Sequence, residues 1–209
     1  MTTTDPHIDA FLTALRSTLA RFAADDSAVG TEVRRILAVW PDAPTPGHRA
    51  SPQGSPVAAH LAAALALAEQ GDASSLAATI PPLAPWLSWT FGYAPHPQYP
   101  DLESRVAFAQ FVGPRDLGHA EHLLMGLTLL APHTVYPAHM HPANELYLPL
   151  GGTGIWSQGG GAPAPEAPGS VIFHPSGVAH TTESLRDPVL ALYIWRGDLS
   201  SPSVFLADA

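Results

Sequence analysis

Two short runs restrict what this chain can fold into more than anything else in it. The first is Tyr136-Pro-Ala-His139-Met-His141-Pro-Ala-Asn-Glu145-Leu-Tyr147, and the second is Gly169-Ser-Val-Ile-Phe-His-Pro175-Ser-Gly177-Val-Ala-His180. On a strand, residues two apart point to the same face. His139 and His141 therefore face one side together, and Glu145 and Tyr147 form a second same-face pair after the Pro-Ala-Asn turn. A hairpin folding back at that turn brings both pairs together. In the second run a strand ends at Pro-Ser-Gly, and His180 opens the next element. Three imidazoles and a carboxylate are a natural set for Zn, Fe, Mn, Ni or Co. They also leave room for a water or substrate, as a catalytic ion requires. One His-x-His alone would be an ordinary pair of loop histidines; two ordered runs with compatible ligands are not.

The periodicity divides the chain into a helical region, 1–85, and a strand region, 86–209. Asp5-Pro6 places an N-cap before a Pro at the first helical position. Ile8, Phe11, Leu12, Leu15, Leu19 and Phe22 then recur at helical spacing. A second helix carries Val29, Val33, Ile36 and Leu37 and ends before Trp40-Pro41. The third is expected over Val57–Gln70, stopped by Gly71. Each helix is short with an apolar face, so the region is expected to pack on the barrel. The Pro/Gly-rich stretch Pro41–Pro56 is a candidate lid, because long loops are often functional. Beyond it, Arg105–Val112, His122–Leu130, Glu145–Leu150, Ser170–Phe173 and Val189–Trp195 are short apolar segments between turn residues, the pattern of a sandwich or barrel.

Composition excludes several chemistries. The chain of 209 residues suits one domain, and its net charge of −9 argues against nucleic acid as a partner. It contains neither lysine nor cysteine. Lysine Schiff-base mechanisms, thiolate nucleophiles and disulfides are therefore unavailable. The N-terminus lacks a basic start followed by an apolar run. Leu61–Ala68 is too short to span a bilayer. These features lead us to expect a cytoplasmic protein without a membrane partner; oligomeric state is not readable.

Each run fits half of the two-part cupin signature. The first half is carried by His139, His141, Glu145 and Gly152, and the second by Gly169, Pro175, Gly177 and His180. Two positions depart from it: His133 stands where a Gly is expected, and Ser184 where an Asn is expected. Neither is a ligand, so they bear on local turns. The resemblance implies a mainly β fold, a single cupin (double-stranded β-helix, or jelly-roll, barrel) with an α-helical N-terminal extension. The first run, with Leu150, Gly152 and Trp156 behind it, further resembles the cupin-type dimethylsulfoniopropionate (DMSP) lyases of the DddQ and DddL kind. The likeness is detailed from about Tyr136 to Trp195 and diffuse before that.

That resemblance implies β-elimination of DMSP to dimethyl sulfide and acrylate. It implies one divalent transition metal (Fe, Zn or Mn, which the sequence does not choose between) on His139, His141, Glu145 and His180. It matches Tyr147 to the base, Tyr136 to a second catalytic and substrate-binding tyrosine, and Trp195 to an aromatic of the pocket. The substrate is a zwitterionic sulfonium carboxylate: the metal would bind its carboxylate, and aromatic rings would suit the sulfonium. Each residue has a plainer reading. Tyr147 could be a packed tyrosine or a fifth ligand, Trp195 and Trp156 could be core, and His174 could at most orient a ligand. Two other functions stay open. One is another mononuclear-metal cupin enzyme, a dioxygenase or an isomerase; the other is a cupin that binds a small molecule without turnover.

Overall fold

The computed structural model describes residues 5–41, 54–69 and 71–206. Helix α1 spans Pro6–Ala20, capped by Asp5, whose carboxylate accepts from the His7 amide at 2.9 Å. It buries Ile8, Phe11, Leu12, Leu15 and Leu19, the expected apolar face. Helix α2 spans Ala28–Ala38, capped by the Ser27 hydroxyl on the Gly30 amide. A Cβ at Gly30 would lie 2.0 Å from the Asp25 carbonyl oxygen, so only glycine fits this entry turn. The third expected helix is divided: a 3-10 segment, Pro56–His60, leads into α3, Leu61–Ala68. Ser55 caps the 3-10 segment at Val57, and the tighter winding there differs from the continuous helix that the alanine-rich sequence suggests. A one-turn helix α4, Ser74–Ala77, follows. Most of the candidate lid lies outside the described residues.

The second region is β1 (Val106–Gly113), β2 (Gly118–His119), β3 (Leu123–Leu130), β4 (Thr134–Met140), β5 (Asn144–Gly151), β6 (Gly154–Gln158), β7 (Ala164–Glu166), β8 (Ile172–His174), β9 (His180–Ser184), β10 (Val189–Arg196) and β11 (Val204–Phe205). They form a six-stranded sheet in the order β2-β1-β3-β10-β5-β8 and a five-stranded sheet in the order β11-β4-β9-β6-β7. Consecutive strands β4 and β5 therefore belong to different sheets, as a jelly roll requires.

The two-residue period of the central strands explains both the helical cover and the site. Leu127 and Leu129 of β3, Leu146 and Leu148 of β5, and Leu192 and Ile194 of β10 join one buried cluster with Phe11, Leu15, Ile36 and Leu76 of the helices. The alternate residues Leu124, Tyr147, Ala191 and Tyr193 form a second cluster on the opposite, inward face, with Trp195 packed against it. Strand β3 is consequently buried along its whole length. Arg196, at the end of β10, reaches α2 and makes a two-point ion pair with Glu32. His133 has φ 54°, a left-handed conformation that accounts for a Gly at this place in the signature. Ser184 closes the same turn, accepting from the Thr134 amide at 3.0 Å and donating to the Ala131 carbonyl at 2.5 Å. No helix among the described residues is long and apolar enough to cross a membrane.

Candidate metal centre

His139 lies near the end of β4, directly opposite His180 of β9, and their rings are 4.1 Å apart. His141 follows β4, and Glu145 lies on β5 between Trp195 of β10 and His174 of β8. The ligand atoms of His141, Glu145 and His180 lie within 4.8 Å of one another, and all three residues are buried. His141 Nε2 is 3.0 Å from Glu145 Oε2, and His180 Nε2 is 3.3 Å from the same oxygen. His180 Nε2 is nevertheless not aligned for a hydrogen bond and stays without one. His139 falls outside that tight trio but borders the same cavity.

All three histidines are oriented in the same way. His139 Nδ1 meets the Pro137 carbonyl at 2.8 Å, His141 Nδ1 the Ala143 carbonyl at 3.1 Å, and His180 Nδ1 the Val178 carbonyl at 2.9 Å. A carbonyl only accepts, so each Nδ1 donates to it and Nε2 is the nitrogen left to face the centre. Nε2 of these rings and the Glu145 carboxylate thus converge, and His180 Nε2 has no aligned hydrogen-bond partner. His141, Glu145 and His180 could hold a divalent cation, and His139 stands beside them on the cavity wall.

The electrostatics agree. Burial raises the pKa of the Glu145 carboxyl, but its contacts with His141 and His180 outweigh this and hold it well below the usual range. Burial, reinforced by His180, pushes His139 well below an ordinary imidazole, so it is neutral.

Sequence reasoning does not reach Tyr93 or Tyr193, and it allows His174 at most an orienting role. His174 is fully buried, stacks on His180 at 4.0 Å, and directs Nδ1 to Gln158 Oε1 at 2.9 Å. Its signal was the β alternation with Ile172. Tyr93 comes from the segment before β1 and pairs its hydroxyl with that of Tyr136; no spacing relates the two in sequence. Tyr193 lies inside, over Gly126, where a Cβ would be 2.4 Å from its hydroxyl.

Tyr147 is buried with its hydroxyl 3.3 Å from Thr128 Oγ1. Tyr136 stacks on His139 at 3.9 Å. Burial raises both phenols well above the usual range; for Tyr147 the Glu145 charge adds to it, and for Tyr136 the neighbouring Tyr93 does. Tyr93 is pushed up to about 12, again mainly by burial. Trp195 donates its indole N–H to Glu145 Oε1 at 2.7 Å and lies 4.3 Å from the His141 ring. Tyr93, Tyr136, His139, Glu145, Tyr147 and Trp195 all line one cavity of about 250 Å³. Trp156 does not line that cavity; it packs on Tyr147 at 4.8 Å.

The two-sheet jelly roll closed over buried imidazoles and a carboxylate defines a cupin. A family model for dimethylsulfoniopropionate lyase matches residues 30–191, and the chain belongs to that lyase family. A putative dimethylsulfoniopropionate lyase DddL of Cereibacter sphaeroides is 35% identical over 182 residues, covering 84% of this chain and 75% of the relative. The dimethylsulfoniopropionate lyase DddQ of Ruegeria pomeroyi is 44% identical over 69 residues, 33% of this chain and 34% of that protein. The crystal structure of DddQ from Ruegeria pomeroyi DSS-3 superposes with a TM-score of 0.77 at 25% identity, covering 97% of each chain. The likeness is thus to lyases of the DddQ/DddL type.

Proposed function

We propose that this protein is a metal-dependent lyase that eliminates dimethyl sulfide from DMSP and leaves acrylate. The carrying observation is that a single cavity borders His139, His141 and Glu145 of the donor set and an aromatic wall containing Tyr147. A divalent Fe, Zn or Mn ion held by His139, His141, Glu145 and His180 would supply Lewis-acid stabilisation of the substrate carboxylate.

The chain's own groups supply the remainder. Tyr147, oriented by Thr128, is the base. Its phenolate oxygen takes the proton from the carbon next to the carboxylate. The C–S bond breaks, its electron pair leaves on dimethyl sulfide, and the C=C bond of acrylate forms. Burial, with the Glu145 carboxylate beside it, holds Tyr147 as a phenol. It becomes a competent base only as the charge beside it turns positive. Tyr136 and Trp195 border the substrate space and face the sulfonium with aromatic surface, worth about 0.5–2 kcal/mol per good contact.

The test is to incubate the purified protein with DMSP under nitrogen, with Fe(II), Mn(II) or Zn(II), and to measure dimethyl sulfide by gas chromatography. Release without oxygen supports the elimination and separates it from dioxygenase chemistry. No release with any ion overturns the lyase reading and leaves the donor set in place.

A further inference from the structure

We infer that Trp195 is a positioning residue for the metal site: its indole N–H fixes one oxygen of Glu145 so that the other alone faces the histidines. Residues directly opposite on antiparallel strands share a face, and Trp195 is directly opposite Glu145 in the β10–β5 register. The two carboxylate oxygens divide their work. Oε1 accepts from Trp195 at 2.7 Å, whereas Oε2 lies 3.0 Å from His141 Nε2 and 3.3 Å from His180 Nε2.

Several observations make this support specific. An indole N–H only donates, so Trp195 cannot compete as a ligand. Its ring also lies against His141 at 4.3 Å and 35°, restricting a second donor whose Nδ1 the Ala143 carbonyl already holds. On the other side of Glu145, His174 directs its Nδ1 to Gln158 instead. Behind Trp195 the strand end is pinned from the outside by the Arg196–Glu32 ion pair. A charge-assisted hydrogen bond in a buried site is stronger than a neutral one. Without it, Oε1 is buried and unsatisfied and the carboxylate is free to turn. This inference rests on the donor set binding a cation, and not on the identity of the substrate.

The experiment measures Zn(II) and Mn(II) affinity of the chelator-stripped full chain by competition with a chromophoric chelator. Trp195→Phe keeps a ring beside His141 and removes the N–H. The expected result is a 10–100-fold loss of affinity, the range typical for groups that orient a ligand. The unfolding midpoint of the metal-free variant is read in parallel. In a Glu145→Ala background the same substitution should change affinity by less than about twofold, because its effect runs through the carboxylate. If Trp195→Phe does not fold, benzothienylalanine placed at position 195 exchanges N–H for sulfur at constant shape and should give the same loss. Affinity within about twofold of wild type, or an equal loss in the Glu145→Ala background, overturns the inference. A wild-type chain that binds neither ion overturns it together with the metal site. A wild-type chain that binds metal but releases no dimethyl sulfide overturns only the substrate reading.

Discussion

His141 Nε2 and Glu145 Oε2 stand 3.0 Å apart, while the other nitrogen of the ring, Nδ1, donates to the Ala143 carbonyl. Two buried lone pairs at that distance repel unless a cation or an added proton lies between them. Metal binding should therefore stabilise the fold as well as enable chemistry. At a free metal concentration of 100 times Kd, one site adds about 2.7 kcal/mol to the unfolding free energy. Differential scanning calorimetry of chelator-stripped protein, with and without Zn(II), checks this, and an unshifted midpoint would count against it.

His139 is the ligand whose membership most needs a test, because the closest cluster consists of His141, Glu145 and His180. Its Nδ1 is nevertheless held at 2.8 Å by the Pro137 carbonyl, in the manner of the other two histidines. His139→Ala should lower metal content after dialysis at least tenfold and abolish dimethyl sulfide release. Retention of one ion per chain, read by inductively coupled plasma mass spectrometry, would remove His139 from the set.

Acid should destabilise the metal-free protein earlier than a carboxylate would require. Burial, reinforced by the stacked His180 ring, takes His174 from 6.5 down to about 3, and burial takes His139 down as well. Both folded-state values lie below the unfolded ones. The unfolded chain thus binds protons that the folded chain refuses. Stability is full above about pH 6.5 and falls as pH drops toward 3, by up to about 1.4 kcal/mol per pH unit for each imidazole. Glu145, depressed from 4.5, adds a loss below that value in the same direction. Urea titrations between pH 8 and pH 4 should show this slope, and His174→Phe should reduce it; equal stability at pH 7.5 and pH 5 would contradict the assignment.

Tyr147→Phe separates the base from a packing role. The hydroxyl touches Thr128 at 3.3 Å, so its loss costs the fold only about 1 kcal/mol. Loss of a general base costs about 100–10,000-fold in rate. The expected outcome is a folded, metal-loaded variant with dimethyl sulfide release reduced at least 100-fold and metal affinity within a few-fold of wild type. Full activity would return Tyr147 to the packed core.

What the sequence conveys about this site follows from local period and spacing. Asp5-Pro6 marks the start of α1, and the unbroken apolar run Val189–Trp195 marks β10, because caps and apolar runs between turns are short-range signals. Strand β9, His180–Ser184, alternates buried His180, Thr182 and Ser184 with more exposed neighbours but lacks an apolar run, so hydrophobicity does not mark it. His139, His141, Glu145 and His180 are legible because motif spacing carries them. Tyr93 is not legible: it reaches Tyr136 from 43 residues away through the packing of the segment before β1. The role of Trp195 beside Glu145 is equally invisible, since it depends on the β10–β5 register, which pairs residues 50 apart.

The last prediction concerns the clasp between the helices and the barrel. Glu32 of α2 is 1% exposed and receives Arg196 at 2.6 and 3.0 Å, while the Arg196 side chain keeps 23% of its surface in solvent. The two halves of this pair are therefore unequal. Arg196→Met strands a buried carboxylate, with only Arg35 left nearby at 3.5 Å, and should cost about 3–5 kcal/mol. Glu32→Leu leaves a guanidinium that can turn toward water and should cost less, about 1–3 kcal/mol. Replacing both by apolar residues should recover much of the larger loss, because no uncompensated charge remains buried. Urea unfolding of the two single variants and the double variant checks the order. A Glu32→Leu protein less stable than Arg196→Met would mean that the arginine, and not the carboxylate, bears the desolvation.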